Sequence, residues 1–222
     1  MRVTEIVKKI ISHPIEGKVK LEIQDNSGGF HAFSEGSRYF DDLLMAVCQV
    51  TSTVGRLYLS VNYFSNLTSG CAQREYRNGT MTEFHKHNFA ELAYVAEGEL
   101  HQDISGKHEV FHTGEICLMG KDSLHAEYLY TADSVVVFLG ISNSFFDKSN
   151  NIAADNSEAD QFIRNFVIAP REKFRFVRFV PRAKKLTSPI LFSHILTELS
   201  RHQAGSRHLI TGYVERLLNV LS

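Results

Sequence analysis

Between Arg56 and about Val180 the chain runs in short apolar or alternating stretches of four to eight residues. Turn-forming residues separate them at Asn66, Ser69-Gly70, Asn78-Gly79, Gly98, Ser105-Gly106 and Gly114. Period-two alternation broken at this cadence predicts antiparallel strands closing into a sandwich or barrel. Ser105-Gly106, lying between Leu100–Ile104 and Glu109–Phe111, has the residues of a hairpin turn, the glycine supplying the positive φ that the strands' twist requires. Val135 to Ile141 is continuously apolar, the pattern of a strand covered on both sides. Lys173 to Val180 alternates charged and apolar residues before Pro181 ends the pattern, which predicts one more strand. The polar stretch from Asp147 to Asp160 is expected to be a loop outside the barrel.

The period changes toward both ends. In Arg38 to Thr51 the apolar residues Tyr39, Phe40, Leu43, Leu44, Val47 and Cys48 follow a three-and-four spacing that predicts a helix packed on the core. Residues 1 to 37, with Pro14, Gly17 and Asn26-Ser27-Gly28-Gly29, have the character of strand and turn. At the other end, Ser188-Pro189 is an N-cap followed by a first-turn proline, Leu191, Ile195 and Leu199 recur every four residues, and Gly205 closes the helix. A second helix starts near Ser206, with Leu209, Ile210, Tyr213, Val214, Leu217, Leu218 and Leu221 forming a stripe wider than one short partner helix covers. That surplus predicts packing against the barrel and against a second copy, with Leu209, Tyr213 and Leu217 at the dimer contact. The expected organisation is an extension over 1–55, a β-barrel over 56–186 and a helical segment over 187–222.

Composition narrows the function classes. A net charge of −1, with 22% charged residues, gives these residues no positive field for a phosphate backbone. The odd set Cys48, Cys71 and Cys117 contains no C-x-x-C pair, which argues against a disulfide framework and a zinc knuckle and fits a reducing cytoplasm. Met1 to Ile11 is interrupted by charges and is no signal peptide, and no window reaches the roughly 18 apolar residues of a membrane span. A soluble, cytoplasmic protein is expected. The basic run from Arg171 to Lys185 alternates with Phe174, Phe176, Val177 and Phe179, the pattern of the solvated face of an outer strand.

The sharpest chemical signal is Gly79-x5-His85-x-His87-x3-Glu91-x6-Gly98, followed by Gly114-x10-His125. His85, His87 and Glu91 sit at odd positions of one expected strand, so period two puts them on one face. A neighbouring strand carrying His125 would complete three imidazoles and a carboxylate, a set suited to divalent iron, manganese, nickel or zinc. The same residues also suit a pocket in which they hydrogen-bond one another or a polar ligand without metal. Tyr94, Tyr128 and Phe138 are either cavity lining or ordinary core. Cys117 is expected to be a buried small hydrophobe, and His101 and His112 are expected on the surface or in a hairpin.

The first motif resembles that of the cupin superfamily, G-x5-H-x-H-x3,4-E-x6-G, and matches it at Gly79, His85, His87, Glu91 and Gly98. The second cupin motif is kept in part: Gly114 and His125 fit, whereas Gly120, Asp122 and Leu129 replace its proline, glycine and asparagine. The resemblance implies a mainly β fold, a cupin barrel of the double-stranded β-helix or jelly-roll kind followed by an antiparallel α-helical pair. The wording FHKHNFAELAYVAEGE, GEICLMGKDSLH and the terminal helices is similar to the sensor domains of AraC-type transcription regulators over roughly Phe84 to Ser222. That resemblance implies a small effector, a sugar or other metabolite, bound by His85, His87, Glu91 and His125. It also implies a homodimer and DNA contact only through a domain outside these residues, since no helix-turn-helix pattern is present. The alternative implied by the intact first motif is a metal-dependent cupin enzyme of dioxygenase or isomerase type.

Overall fold

The computed structural model describes residues 5–6, 19–20, 42–54, 56–65, 69–130, 133–145, 176–181, 187–201 and 203–221. The strands are β1 (Val19–Lys20), β2 (Leu43–Thr53), β3 (Arg56–Ser65), β4 (Ser69–Tyr76), β5 (Thr80–Met81), β6 (Ala90–Glu97), β7 (Glu99–Ile104), β8 (Lys107–His112), β9 (Ile116–Met119), β10 (His125–Leu129), β11 (Ser134–Ile141) and β12 (Phe176–Phe179). They form an eight-stranded sheet in the order β1-β4-β3-β2-β11-β6-β9-β12 and a four-stranded sheet in the order β5-β10-β7-β8. All pairings are antiparallel except β1 with β4. Two helices follow, α1 (Thr187–Arg201) and α2 (Ser206–Leu221). The molecule is thus mainly β, two largely antiparallel sheets followed by a helix pair.

β11 lies between β2 and β6 at the centre of the large sheet, and both faces of this trio are covered. Leu43, Met45, Val47, Leu92, Tyr94, Val135, Val137 and Leu139 join one buried cluster with Phe192, Ile195 and Leu196 of α1 and Val214 and Leu217 of α2. The alternate residues Leu44, Ala46, Glu91, Val136, Phe138 and Gly140 line a cavity on the other face. One strand layer therefore separates the cavity from the helices. The helices are held by burial: Phe192 has no exposed surface and stacks on Tyr94 at 4.8 Å. Each such side chain contributes about 1.5–3 kcal/mol through the apolar area it removes from water.

The hairpin predicted at Ser105-Gly106 joins β7 and β8, with φ of 56° and 82° at the two turn residues. The strand expected over Lys173–Val180 is seen as β12, whose Arg178 pairs with Glu109 at 2.9 Å and lies over the Phe111 ring. The second helix begins at Ser206 as read from sequence, whereas the first begins at Thr187 and so takes in the Ser188 expected to cap it.

Two expectations fail. The helix expected over Arg38–Thr51 is a strand over its described part, because Leu43, Leu44, Met45, Val47 and Val50 are all buried. A strand covered on both faces loses its alternation, and its unbroken apolar content then satisfies a three-and-four spacing by default. Since β2 and β3 form one long hairpin in the main sheet, a boundary at residue 55 divides that hairpin. The second failure is the single strand expected to carry His85, His87 and Glu91. His85 makes an isolated bridge, and the regular strand begins only at Ala90. The loop expected over Asp147–Asp160 and most of residues 1–37 lie outside the described residues.

Candidate functional site: a histidine–carboxylate cluster at the end of an apolar cavity

Between β5 and β6 the chain leaves the small sheet and enters the large one, and the His85 and His87 side chains project from that crossing. His85 is tied to β10 by a backbone pair with His125, N to O distances 2.9 and 3.0 Å. The His87 carbonyl accepts from the Asp122 N–H at 2.8 Å. The His87 ring stacks on Phe89, 4.6 Å between centroids, and Phe89 in turn occupies the space beside Gly140. A Cβ at Gly140 would stand 2.7 Å from the Phe89 ring, so only glycine leaves room for that stack.

The crossing and β10 bring one ligating nitrogen from each of His85, His87 and His125 within 4.8 Å of one another. His85 Nδ1 faces the Glu83 carbonyl and His125 Nδ1 the Ser123 carbonyl, both at 2.9 Å. A carbonyl only accepts, so both Nδ1 atoms carry the proton and both Nε2 atoms present lone pairs. Glu91 lies 3.4 Å from His87 Nε2 and 3.7 Å from His125 Nε2. The structure brings His85, His87, Glu91 and His125 together.

Sequence reasoning missed Glu127. Its Oε1 is 3.9 Å from His85 Nε2 and 3.8 Å from His125 Nε2, and the carboxylate accepts from Thr82 Oγ1 at 2.8 Å and Gln102 Nε2 at 3.3 Å. The signal was available: Glu127 is two residues beyond His125 on β10, so period two places both on one face.

Burial sets the charge state. Burial first, then the neighbouring His125 and His85, lowers His87 to about 3, and burial lowers His125 as well. Burial and the adjacent Glu127 raise Glu91 to about 8. Burial pushes the Glu127 carboxyl up, but His85, His125 and the hydrogen bonds from Thr82 and Gln102 outweigh it and hold it below the usual range. At neutral pH His87 and His125 are thus neutral, Glu91 is protonated and Glu127 is ionised. His87 Nδ1, Glu91 Oε1, Gln102 Oε1 and His125 Nε2 are buried without a hydrogen-bond partner. Orphaned buried polar atoms are costly, and an ion, a ligand or water there would satisfy them.

The donor chemistry fits a divalent ion held by His85, His87, His125 and Glu91: three imidazoles, two of them oriented by carbonyls behind them, with buried polar atoms to satisfy. The cluster closes one end of a cavity of about 100 Å³ whose body is formed by Leu44, Val50, Leu59, Val61, Leu100 and Phe138. Tyr128 also lines it, while Tyr94 faces the helices instead. Cys48 is in the lining, its thiol pushed up by burial and by Glu127 and Glu91, and Cys117 is fully buried in the core. Neither is a poised nucleophile.

No family model and no curated protein matches the chain. Among solved structures, similarity extends to KdgF from a Halomonas species, at 16% identity and TM-score 0.29, covering 45% of this chain and 81% of that one. A cupin 2 conserved barrel domain protein from Salinispora arenicola is similar at 13% identity and TM-score 0.31, covering 48% and 83%. Unsaturated fatty acid-bound ToxT from Vibrio cholerae is similar at 12% identity and TM-score 0.45, covering 81% of this chain and 56% of ToxT. The chain therefore spans little more than half of ToxT's length.

His101 and His112 both pair with Glu99, at 3.0 and 3.1 Å, and Glu99 itself is among the cavity's lining residues. Of the three residues expected at a dimer contact, Leu209 is 49% exposed and Tyr213 is half-buried with its ring stacked on His194, whereas Leu217 is buried within the chain's own core. The wide stripe on α2 thus divides into an inward set, Ile210, Val214, Leu217 and Leu218, and an outward remainder that includes Leu209. No helix among the described residues is long and apolar enough to cross a membrane.

Proposed function

We propose that this chain is the effector-binding and dimerising part of an AraC-type transcription regulator, in which a small molecule in the barrel cavity sets the placement of the helix pair. The observation that carries the reading is the shared strand layer. Glu91, Val136 and Phe138 face the cavity while Tyr94, Val135 and Val137 on the same strands support α1 and α2. An occupant that favours one position of β6 and β11 over another thereby acts on the seat of the helices. Coupling requires only that the two helix placements bind it unequally. The order of barrel then helices, and the resemblance of Phe84 to His125 to such sensors, support the same assignment. Regulation of DNA, in this reading, runs through a DNA-binding unit outside these residues.

A thermal-shift screen of metabolites followed by calorimetry tests it. A ligand that stabilises the chain is expected to bind more weakly to His85→Ala, His87→Ala and His125→Ala. Unchanged binding by all three variants removes these residues from the ligand site.

The converging lone pairs of His85, His87 and His125 favour a second reading, a metal-dependent cupin enzyme. A bound divalent ion would supply Lewis-acid chemistry. Glu127 would then be the nearest ionised group able to hold a proton beside it, with the apolar walls excluding water. Elemental analysis of protein purified without chelator separates the readings: stoichiometric iron, manganese or nickel favours the enzyme, and its absence the sensor.

A further inference from the structure

We infer that the β7–β8 hairpin carries a two-histidine site for a divalent transition-metal ion, zinc, copper or nickel, held by His101 Nδ1 and His108 Nε2. The site uses none of the residues of the His85, His87 and His125 cluster and does not depend on what fills the cavity.

Register brings the two histidines together. His101 is paired with Val110 and His108 with Asp103, so they are diagonal neighbours on one face of the hairpin, within reach of each other's long side chains. Leu100, Gln102 and Ile104, the alternate residues of β7, are buried, which leaves the histidine face outward. The two nitrogens stand 3.4 Å apart. That is beyond the usual reach of an N–H donor, about 2.7–3.2 Å, so one shared proton holds the rings only weakly. It is instead the separation two imidazoles take on a tetrahedral ion, where bonds of about 2.0–2.1 Å set the nitrogens roughly 3.3–3.4 Å apart.

The tautomer agrees with that role. His101 Nε2 meets Glu99 Oε2 at 3.0 Å, and a carboxylate accepts, so Nε2 carries the proton and Nδ1 presents its lone pair to His108. A carboxylate behind a ligating histidine fixes the ring and its tautomer at metal sites. Glu99 is held in turn, its other oxygen meeting His112 Nδ1 at 3.1 Å. Tyrosines wall the pair: Tyr130 lies edge-on to His101 at 5.0 Å, Tyr128 edge-on to His108 at 4.9 Å, and the two tyrosines stack on each other. With an ion in place His108 carries its proton on Nδ1, so a weak hydrogen bond is exchanged for two coordinate bonds and no proton is lost. His108 is exposed, so its ring can turn onto the ion while water completes the coordination shell. An imidazole pair selects zinc, copper or nickel over magnesium or calcium.

Titration calorimetry with zinc chloride tests the site on tag-free wild type, His108→Ala and His101→Gln at neutral pH, the His85, His87 and His125 cluster being the same in all three. Two ligands are half of a four-ligand structural site, so the pair is expected to take one zinc per chain with a Kd of about 1–100 µM. Each histidine variant is expected to bind one zinc fewer than the wild type, whatever the cluster takes. Glu99→Gln is expected to keep the stoichiometry and weaken the site about tenfold. Identical isotherms for the wild type and both histidine variants overturn the assignment, as does a Kd above about 1 mM for the zinc that His108→Ala removes. A Glu99→Gln isotherm unchanged from the wild type overturns the carboxylate's part in it. Should His101→Gln not fold, His108→Ala decides alone, since it truncates an exposed side chain.

Discussion

Glu91→Gln tests the electrostatics of the cavity end most sharply. Glu91 is 8% exposed, and its carboxyl is raised to about 8 by burial and by Glu127. In the unfolded chain it titrates near 4.5. Between those values the folded protein binds more protons than the unfolded chain, so this group's contribution to stability falls as pH rises. Integrated from pH 6 to pH 8, the loss is about 2 kcal/mol. His87 and His125 work the other way, because a lowered histidine makes the unfolded chain bind more protons below about 6.5. Their contribution rises over the same interval and partly masks the loss in the wild type. The difference between wild type and Glu91→Gln removes the histidine contribution, since both proteins share it. In metal-free buffer, the variant is expected to gain about 2 kcal/mol on the wild type from pH 6 to pH 8, roughly 4–8 °C in relative Tm for a chain of this size. A difference that stays constant across that interval refutes the reasoning, because Glu91 would then be ionised, or equally protonated, in both states.

Three further outcomes follow from the packing. Val54 is a 97% exposed β-branched residue at φ 51°, so Val54→Asn, which tolerates that conformation, is expected to raise stability by about 1 kcal/mol in urea titration. Phe192→Ala removes the ring stacked on Tyr94 and is expected to cost about 3–5 kcal/mol; a loss below about 1 kcal/mol would mean that α1 is not seated there. Under the dimer proposal, the wild type sediments as a dimer at concentrations of order tens of micromolar and Leu209→Asp as a monomer, whereas identical sedimentation of the two removes Leu209 from any interface.

The pieces legible from sequence are those whose signal is local. The Ser105-Gly106 turn declares itself by residue type, α1 and α2 by caps and four-residue recurrence, and the histidine motif by its own spacing. β2 was illegible because its environment is not local: β3, β11, the cavity and the helices cover it on every side, which erases the alternation that marks a strand. The site was half legible. His85, His87, Glu91 and His125 were found by motif, though the geometry that joins them is a crossing between sheets, not one strand. Glu127, Thr82 and Gln102 belong to three different strands or their margins, and only tertiary contact brings them to one carboxylate. Leu217 shows the same limit, since a helical stripe does not reveal which of its edges the barrel claims.

Hydrogen–deuterium exchange across 187–221, with and without a ligand that stabilises the chain, tests the central claim that cavity occupancy reaches the helices through the shared strand layer. The account predicts that amides of α1 change protection by about fivefold or more together with those of β6 and β11. A ligand that protects β6, β10 and β11 while α1 and α2 exchange at unaltered rates contradicts it.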